Sequence, residues 1–270
     1  MKFKADTGPE IGRGVITHEC VSIEIETPEG DVLITQDPKG RLMVKKKPDP
    51  NAPKRGKFIV LEGVDGAGTT TQSKLLTSYL TTKNLSVCST SEPTRSRMDT
   101  PTGQLIDEIL HGKVPKPDKN ALALLFAADR VNHYQSEIEG ALAAGNHVIC
   151  DRYLLSGISY DSAAGCDPEW VALINRYAPS PDLVVFVAMD TDVAIQRIKK
   201  RDGESVSIYE NFEFLNSVED RYRRLAHSLK SEGLNIEIID GGGSIRVIAA
   251  VIADIVDDLL EEVIDVESAQ

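Results

Sequence analysis

An apolar run, Phe58-Ile-Val-Leu-Glu62, leads directly into Gly63-Val-Asp-Gly-Ala-Gly68-Thr69-Thr70, and a helical pattern follows from Thr70 to Lys83. A buried strand that must turn through glycines into a helix leaves few architectures open. The arrangement is that of a phosphate-binding turn. Glycines let the backbone wrap an anion, and the helix N-terminus aims N–H groups and positive dipole at it. The pattern GxxxxGK[ST] asks for lysine at the position held here by Thr69. Without that lysine, a glycine-rich strand-to-helix turn with no ligand stays open on these residues alone. Thr70 keeps the hydroxyl that such loops offer to Mg²⁺.

The same alternation recurs along the chain. Strand-like runs fall at 57–62, 85–90, 147–151, 182–188 and 234–240. Helical patterns fall at 70–83, 103–111, 118–144, 191–200, 211–232 and 244–263. Apolar strands separated by helices predict an α/β fold, a five-stranded parallel sheet with helices on both faces. The first 47 residues read differently. Val21–Thr27, Asp31–Thr35 and Arg41–Lys45 alternate apolar and polar residues between turn sequences, which predicts a small three-stranded β-meander. Pro48-Asp-Pro-Asn-Ala-Pro53 then blocks helix and sheet alike. The expected division is a meander over 1–47, a linker over 48–56 and the main domain over 57–266.

Lys plus Arg number 30 against 42 Asp plus Glu, a formal charge of −12. Asp254, Asp257, Asp258, Glu261, Glu262, Asp265 and Glu267 supply seven acids with no base among them, so the deficit is mostly a C-terminal one. A whole-molecule footprint for nucleic acid or anionic lipid is not expected, while a local phosphate site is untouched by this balance. No run of 18 apolar residues predicts a membrane span. Cys20, Cys88, Cys150 and Cys166 lack CxxC spacing and read as free thiols of a reducing cytoplasm. The five histidines never reach HxxxH or HExxH spacing, and there is no GxSxG turn.

Beyond its missing lysine, the segment from Phe58 to Gln72 resembles the opening of thymidylate (dTMP) kinases, which are P-loop nucleoside monophosphate kinases. Four further segments stand in that family's order: Glu92-Pro-Thr-Arg95, Leu125-Phe-Ala-Ala-Asp-Arg130, Asp151-Arg-Tyr153 with Ser156, Ser159 and Tyr160, and Arg197-Ile-Lys-Lys-Arg201. The likeness covers about residues 57–260. It implies transfer of a phosphoryl group from ATP to dTMP, giving dTDP and ADP for dTTP synthesis, with Mg²⁺ as cofactor and a homodimer as the assembly.

The resemblance also assigns roles. The loop Gly63, Val64, Asp65, Gly66, Ala67, Gly68, Thr69, Thr70 and Thr71 would hold the ATP phosphates, with Thr70 and Asp151 on Mg²⁺. Asp65 would accept from the sugar 3′-hydroxyl; as a bare residue it equally suits a turn-forming Asp. Arg152 and Arg95 would bind the dTMP phosphate, where a guanidinium fork fits. Phe126 and Arg130 lie four apart on one helix and so share a face; they would stack on and hydrogen-bond the thymine. Tyr160 would pack on the deoxyribose. Arg197 and Arg201 would stabilise charge on the transferred group, although basic residues at a helix end also simply complement its dipole. Asp161 stands where glutamine is usual in the family, Ser159 where alanine is usual and Ser91 where many relatives carry arginine. Two cations are absent together: the loop lysine and an arginine near Ile208, in the lid. These departures leave two alternatives, a kinase of this fold with another nucleotide or nucleoside acceptor, and a catalytically impaired nucleotide-binding protein.

Overall fold

The computed structural model describes residues 54–94, 100–202 and 212–268, together with four strands in the first fifty residues. Those strands are β1 (Val15–Thr17), β2 (Cys20–Ile25), β3 (Val32–Gln36) and β4 (Leu42–Lys46). They form an antiparallel sheet in chain order. Three of them fall on the expected meander. The fourth, β1, has only three residues, too few to show an alternating pattern.

The chain divides into two compact units, 1–53 and 54–270. Residues 54–56, the end of the expected linker, belong to the second unit. Arg55 pairs with Asp182 at 2.7 Å, and the Gly56 N–H donates to the Leu142 carbonyl. Gly56 has no room for a side chain, because a Cβ there would lie 1.8 Å from the Asn146 carbonyl oxygen.

The second unit is built on five parallel strands: β5 (Phe58–Glu62), β6 (Val87–Ser91), β7 (His147–Asp151), β8 (Leu183–Ala188) and β9 (Ile236–Asp240). Their order is β6-β7-β5-β8-β9. Central β5 and β8 are buried along their whole length, as strands covered on both faces must be. The helices are α1 (Thr69–Thr82), α2 (Pro101–Leu110), α3 (Lys119–His133), α4 (Glu139–Ala143), α5 (Leu154–Ala163), α6 (Pro168–Ile174), α7 (Thr191–Asp202), α8 (Phe212–Ser231) and α9 (Ile245–Ser268).

Two apolar layers cover the sheet. One gathers Phe58, Val60, Val148, Phe186, Leu215, Val218 and Tyr222. Within it Phe186 and Tyr222 stack with ring centroids 5.2 Å apart, a geometry worth roughly 1 kcal/mol beyond burial alone. The other gathers Ile59, Leu61, Leu76, Leu80, Ile252 and Val256, which holds α1 and α9 on the opposite face. Tyr79 on α1 and Lys83, which caps its C-terminus, both donate to Asp257 on α9, each at 2.5 Å. Part of the acidic C-terminal segment is thereby tied to the body.

Three helical details depart from the sequence pattern. The long helix expected over 118–144 is broken by a π-helical turn at Tyr134–Ile138 between α3 and α4. That wider turn falls where Glu137 reaches Thr90 and His133. Helix α5 carries Gly157 and three serines and has no clear apolar period; its support comes from the tertiary contacts described below. Helix α6 had a local signal. Asp167 caps it by accepting from the Trp170 N–H, and Pro168 follows in the first turn.

Candidate active site

Leu61 on β5 lies in register with Asp151 on β7. The turns leaving these two strands therefore converge at the C-terminal edge of the sheet, where open α/β folds bind ligands.

The first turn is the glycine loop. Gly66 and Gly68 both have positive φ, 87° and 97°. A Cβ on Gly66 would lie 2.4 Å from the carbonyl oxygen of Ala194 on α7, so only glycine lets the loop approach that helix. Gly68 differs. Nothing lies within 4 Å of where its Cβ would be, and it forms the N-cap of α1. The first turn of α1 holds no acidic side chain, so its N–H groups and dipole favour an anion. Thr69 itself is buried, with its methyl group turned toward Gly63.

The second turn carries Arg152 in the left-handed region, φ 71°, a conformation that needs outside support in a non-glycine residue. Glu62 supplies it. This fully buried carboxylate accepts from the backbone N–H groups of Tyr153, Leu155 and Ser156 and from the hydroxyls of Ser156 and Tyr222. The first turn of α5 is thus fixed to the last residue of β5. The Arg152 N–H also donates to the Leu61 carbonyl at 2.8 Å.

So held, the Arg152 guanidinium donates to Asp65 at 2.8 Å and lies 5.2 Å from the centre of the Tyr160 ring. The Tyr160 hydroxyl donates to the other Asp65 oxygen at 2.9 Å, and the Asp65 N–H donates back to that hydroxyl at 3.0 Å. Burial pushes the Tyr160 phenol up, so it stays protonated as a donor. Asp65, Arg152 and Tyr160 form one cluster that joins the glycine loop to α5.

Thr70 donates to Asp151 Oδ2 at 2.5 Å. Asp151 Oδ1 is buried and has no hydrogen-bond partner. Ser73, Lys74, Ser89 and Ser91 line the same polar recess. An orphaned carboxylate oxygen beside a hydroxyl is an all-oxygen donor set, which suits a hard divalent cation such as Mg²⁺.

A second cavity is walled in part by the Asp65–Arg152–Tyr160 cluster. Phe126, half-buried, lines it with Arg130, Arg152, Tyr160 and Asp161. Arg130 is almost wholly buried. Its Nε donates to Glu92 at 2.8 Å, Nη1 donates to Asn175, and the group lies 5.6 Å from the Tyr153 ring centre. Gly157 makes room for it, since a Cβ there would sit 2.8 Å from Arg130 Nη1. Glu92 also meets His133 at 3.2 Å, and His133 meets Glu137 at 3.2 Å. Thr94, behind the β6 turn, is held by Asp129 through its N–H and its hydroxyl.

Arg197 on α7 reaches the loop from the opposite side. Its guanidinium donates to the carbonyls of Ala67, at 3.5 Å, and Gly241, at 3.2 Å. Arg201 is exposed at the end of α7. Arg95 and the lid positions around Ile208 lie outside the described residues. The structure therefore brings together the loop, Thr70, Asp65, Asp151, Arg152, Tyr160, Phe126, Arg130 and Arg197. Glu62, Lys74, Glu92 and Asn175 are additional members to which the resemblance assigned no role of their own. An acid ending an otherwise apolar strand was the available signal for Glu62.

The family model for thymidylate kinase matches residues 61–252. The chain belongs to the thymidylate kinase family. It is 42% identical over 183 residues to a probable thymidylate kinase of Methanocaldococcus jannaschii, covering 68% of this chain and 86% of that one. It is 41% identical over 179 residues to a probable thymidylate kinase of Methanococcus aeolicus, covering 66% and 84%. A probable thymidylate kinase of Pyrococcus horikoshii is 40% identical over 174 residues, covering 64% and 83%. As a thymidylate kinase the chain is a phosphotransferase, with ATP as phosphoryl donor and dTMP as acceptor. Among the described residues no helix is long and apolar enough to cross a membrane.

The buried network beneath the thymidylate kinase cavity has a pH signature. Burial alone would lower the His133 pKa, but hydrogen bonds to Glu137 and Glu92 outweigh it and raise the value to about 9. A folded pKa above the unfolded one stabilises the fold fully below about pH 6.5 and is lost as pH rises through about 9. Denaturant unfolding should therefore show up to ~3 kcal/mol of lost stability across that window. His133→Gln should remove that slope.

Proposed function

We propose that this thymidylate kinase works with its loop phosphates balanced by cations outside the loop, the glycine turn lacking its usual lysine. The observation that carries the reading is the Asp65–Arg152–Tyr160 cluster, a guanidinium held at the meeting point of the loop and the second cavity. ATP would place its phosphates on Gly63 to Thr71, over the N-terminus of α1. The dTMP base would lie on Phe126 with a base carbonyl toward Arg130, whose remaining N–H groups stay available after those given to Glu92 and Asn175. Tyr160 would meet the deoxyribose, and Asp65 would accept from its 3′-hydroxyl. Arg152, together with Arg95, would hold the acceptor phosphate.

Such a reaction asks little covalent chemistry of the protein. Positioning of two anions and neutralisation of charge supply the catalysis. Thr70 and Asp151 would hold Mg²⁺, and the orphaned Asp151 oxygen supports that assignment. When bound, Mg²⁺ neutralises charge on the donor phosphates. Arg197, already against the Ala67 carbonyl, and Arg201, one turn further along α7, would stabilise the transferred group. Arg152 fixes the acceptor phosphate, so that its oxygen faces the donor.

The remaining parts of the reading concern assembly and place. The catalytic unit would be residues 57–266, with residues 1–47 appended through 48–56. The assembly would be a homodimer, as the family resemblance implies. The free thiols Cys88, Cys150 and Cys166 fit a cytoplasmic setting.

Purified protein with ATP, Mg²⁺ and dTMP should yield dTDP and ADP, followed by chromatography of the nucleotides. Arg152→Ala should lower kcat/KM for dTMP by about a hundredfold or more, in line with single charge-stabilising donors. Equal rates for the two proteins would overturn the reading. Thr69→Lys should raise kcat, by up to ~100-fold. A fall instead would mean that the loop is built around threonine.

A further inference from the structure

One basic side chain near the glycine loop has no task in the scheme above. Lys74 lies in the second turn of α1 and lines the polar recess with Thr70, Ser73, Ser91 and Asp151. Two buried atoms of that recess, Asp151 Oδ1 and Ser73 Oγ, have no hydrogen-bond partner. Unpaired polar atoms are costly in a packed interior, and two in the wall of one recess mark the place of a ligand. Lys74 itself is exposed and makes no ion pair with the described residues. Its helical neighbours three and four positions away are Thr70, Thr71, Thr77 and Ser78, and none of these can neutralise it.

The helix and the sheet together direct this lysine. Residues four apart share a helix face, and helical side chains lean toward the N-terminus. The Lys74 stem therefore runs back over Thr70, toward the mouth of the loop. Strand β5, which feeds the loop, lies between β7 and β8. Arg197 approaches the loop from α7, on the β8 side. Lys74 lines a recess walled by the ends of β7 and β6, through Asp151 and Ser91. The second cavity draws Glu92 and Arg152 from the turns after those same two strands. Lys74 thus flanks the loop on the side from which an acceptor would come, opposite Arg197.

We propose that Lys74 is a catalytic residue whose ammonium donates to the terminal phosphate of ATP, supplying from α1 the charge that the loop lacks at Thr69. The inference rests on the ATP and dTMP reading of this site. In the transfer, a bond forms from an acceptor phosphate oxygen to the terminal phosphorus. The bond from that phosphorus to the ADP oxygen breaks, and the electron pair leaves with ADP. Lys74 exchanges no proton in this step. It neutralises charge on the oxygens of the moving group. A compact ammonium on a flexible stem can follow that group from donor to acceptor.

Two measurements test this: steady-state rates with ATP, Mg²⁺ and dTMP, and equilibrium binding of ATP, ADP and dTMP, each alone. Lys74→Met should lower kcat about tenfold or more with KM for dTMP nearly unchanged. It should weaken ATP binding severalfold, while ADP, which lacks the terminal phosphate, and dTMP stay within about twofold of wild type. Lys74→Arg, which keeps the charge, should retain more of the rate than Lys74→Met. In a Thr69→Lys background the loss of Lys74 should cost less than in wild type, because both side chains serve one charge. The assignment is overturned if Lys74→Met leaves kcat within about twofold of wild type, or weakens ATP and ADP binding equally. A rise in kcat, expected of a lysine that competes for Asp151, overturns it as well. In each of those cases turnover of dTMP by the wild type leaves the kinase reading standing. The comparison in the native loop decides the matter even if Thr69→Lys does not fold. Wild-type protein that binds neither ATP nor dTMP would overturn the kinase reading and this inference together.

Discussion

The arrangement of the site depends on one buried carboxylate. Glu62 ends the central strand β5 and accepts five hydrogen bonds from the start of α5 and from Tyr222. Each donor would otherwise be an unpaired polar group in a dry interior, so the contact fixes the turn rather than merely favouring it. The left-handed Arg152 lies within that turn. Its guanidinium reaches Asp65 only because backbone and carboxylate together hold the residue where a non-glycine residue rarely goes. The glycine loop begins one residue after Glu62. A single side chain therefore sets the relative position of the glycine loop and the second cavity.

Charge in the site is distributed in an unusual way for this loop type. The loop contributes glycines, threonines and helix dipole but no cation of its own. Positive groups approach from three other elements: Arg152 ahead of α5, Arg197 on α7, and Lys74 one turn along α1. Two of these are already tied to oxygen partners, Asp65 and the Ala67 carbonyl. Such pairing lowers the reorganisation needed when an anion arrives, since the guanidinium is oriented beforehand. The second cavity follows a similar logic. Arg130 is buried, and Glu92 and Asn175 fix its orientation while using only two of its five N–H donors.

Much of the fold was legible because parallel strands covered on both faces leave long apolar runs. All five were placed within two residues of their ends. The helix α5 was not, since Leu154–Ala163 has little intrinsic helical character and owes its form to Glu62 and to packing on α8. The π turn at Tyr134–Ile138 was hidden for a related reason: it answers to side chains on β6. Short site motifs such as Asp151-Arg152-Tyr153 stood out locally. The partners that shape them did not, because Glu62 lies 91 residues from Tyr153 and 160 from Tyr222. Nor does a sequence reveal that Arg152 adopts positive φ, or that Arg130 is held by Glu92 and Asn175.

Gly66 has a mechanical consequence. Its bare Cα meets the backbone of Ala194, so the phosphate loop and the first half of α7 touch without an intervening side chain. Arg197 rivets the same helix to the Ala67 carbonyl. A displacement of α7 is then passed on to the loop almost undamped, as between two parts of a rigid frame. The helix that carries Arg197 and Arg201 and the glycine loop therefore meet backbone to backbone, and neither can move far without shifting the other.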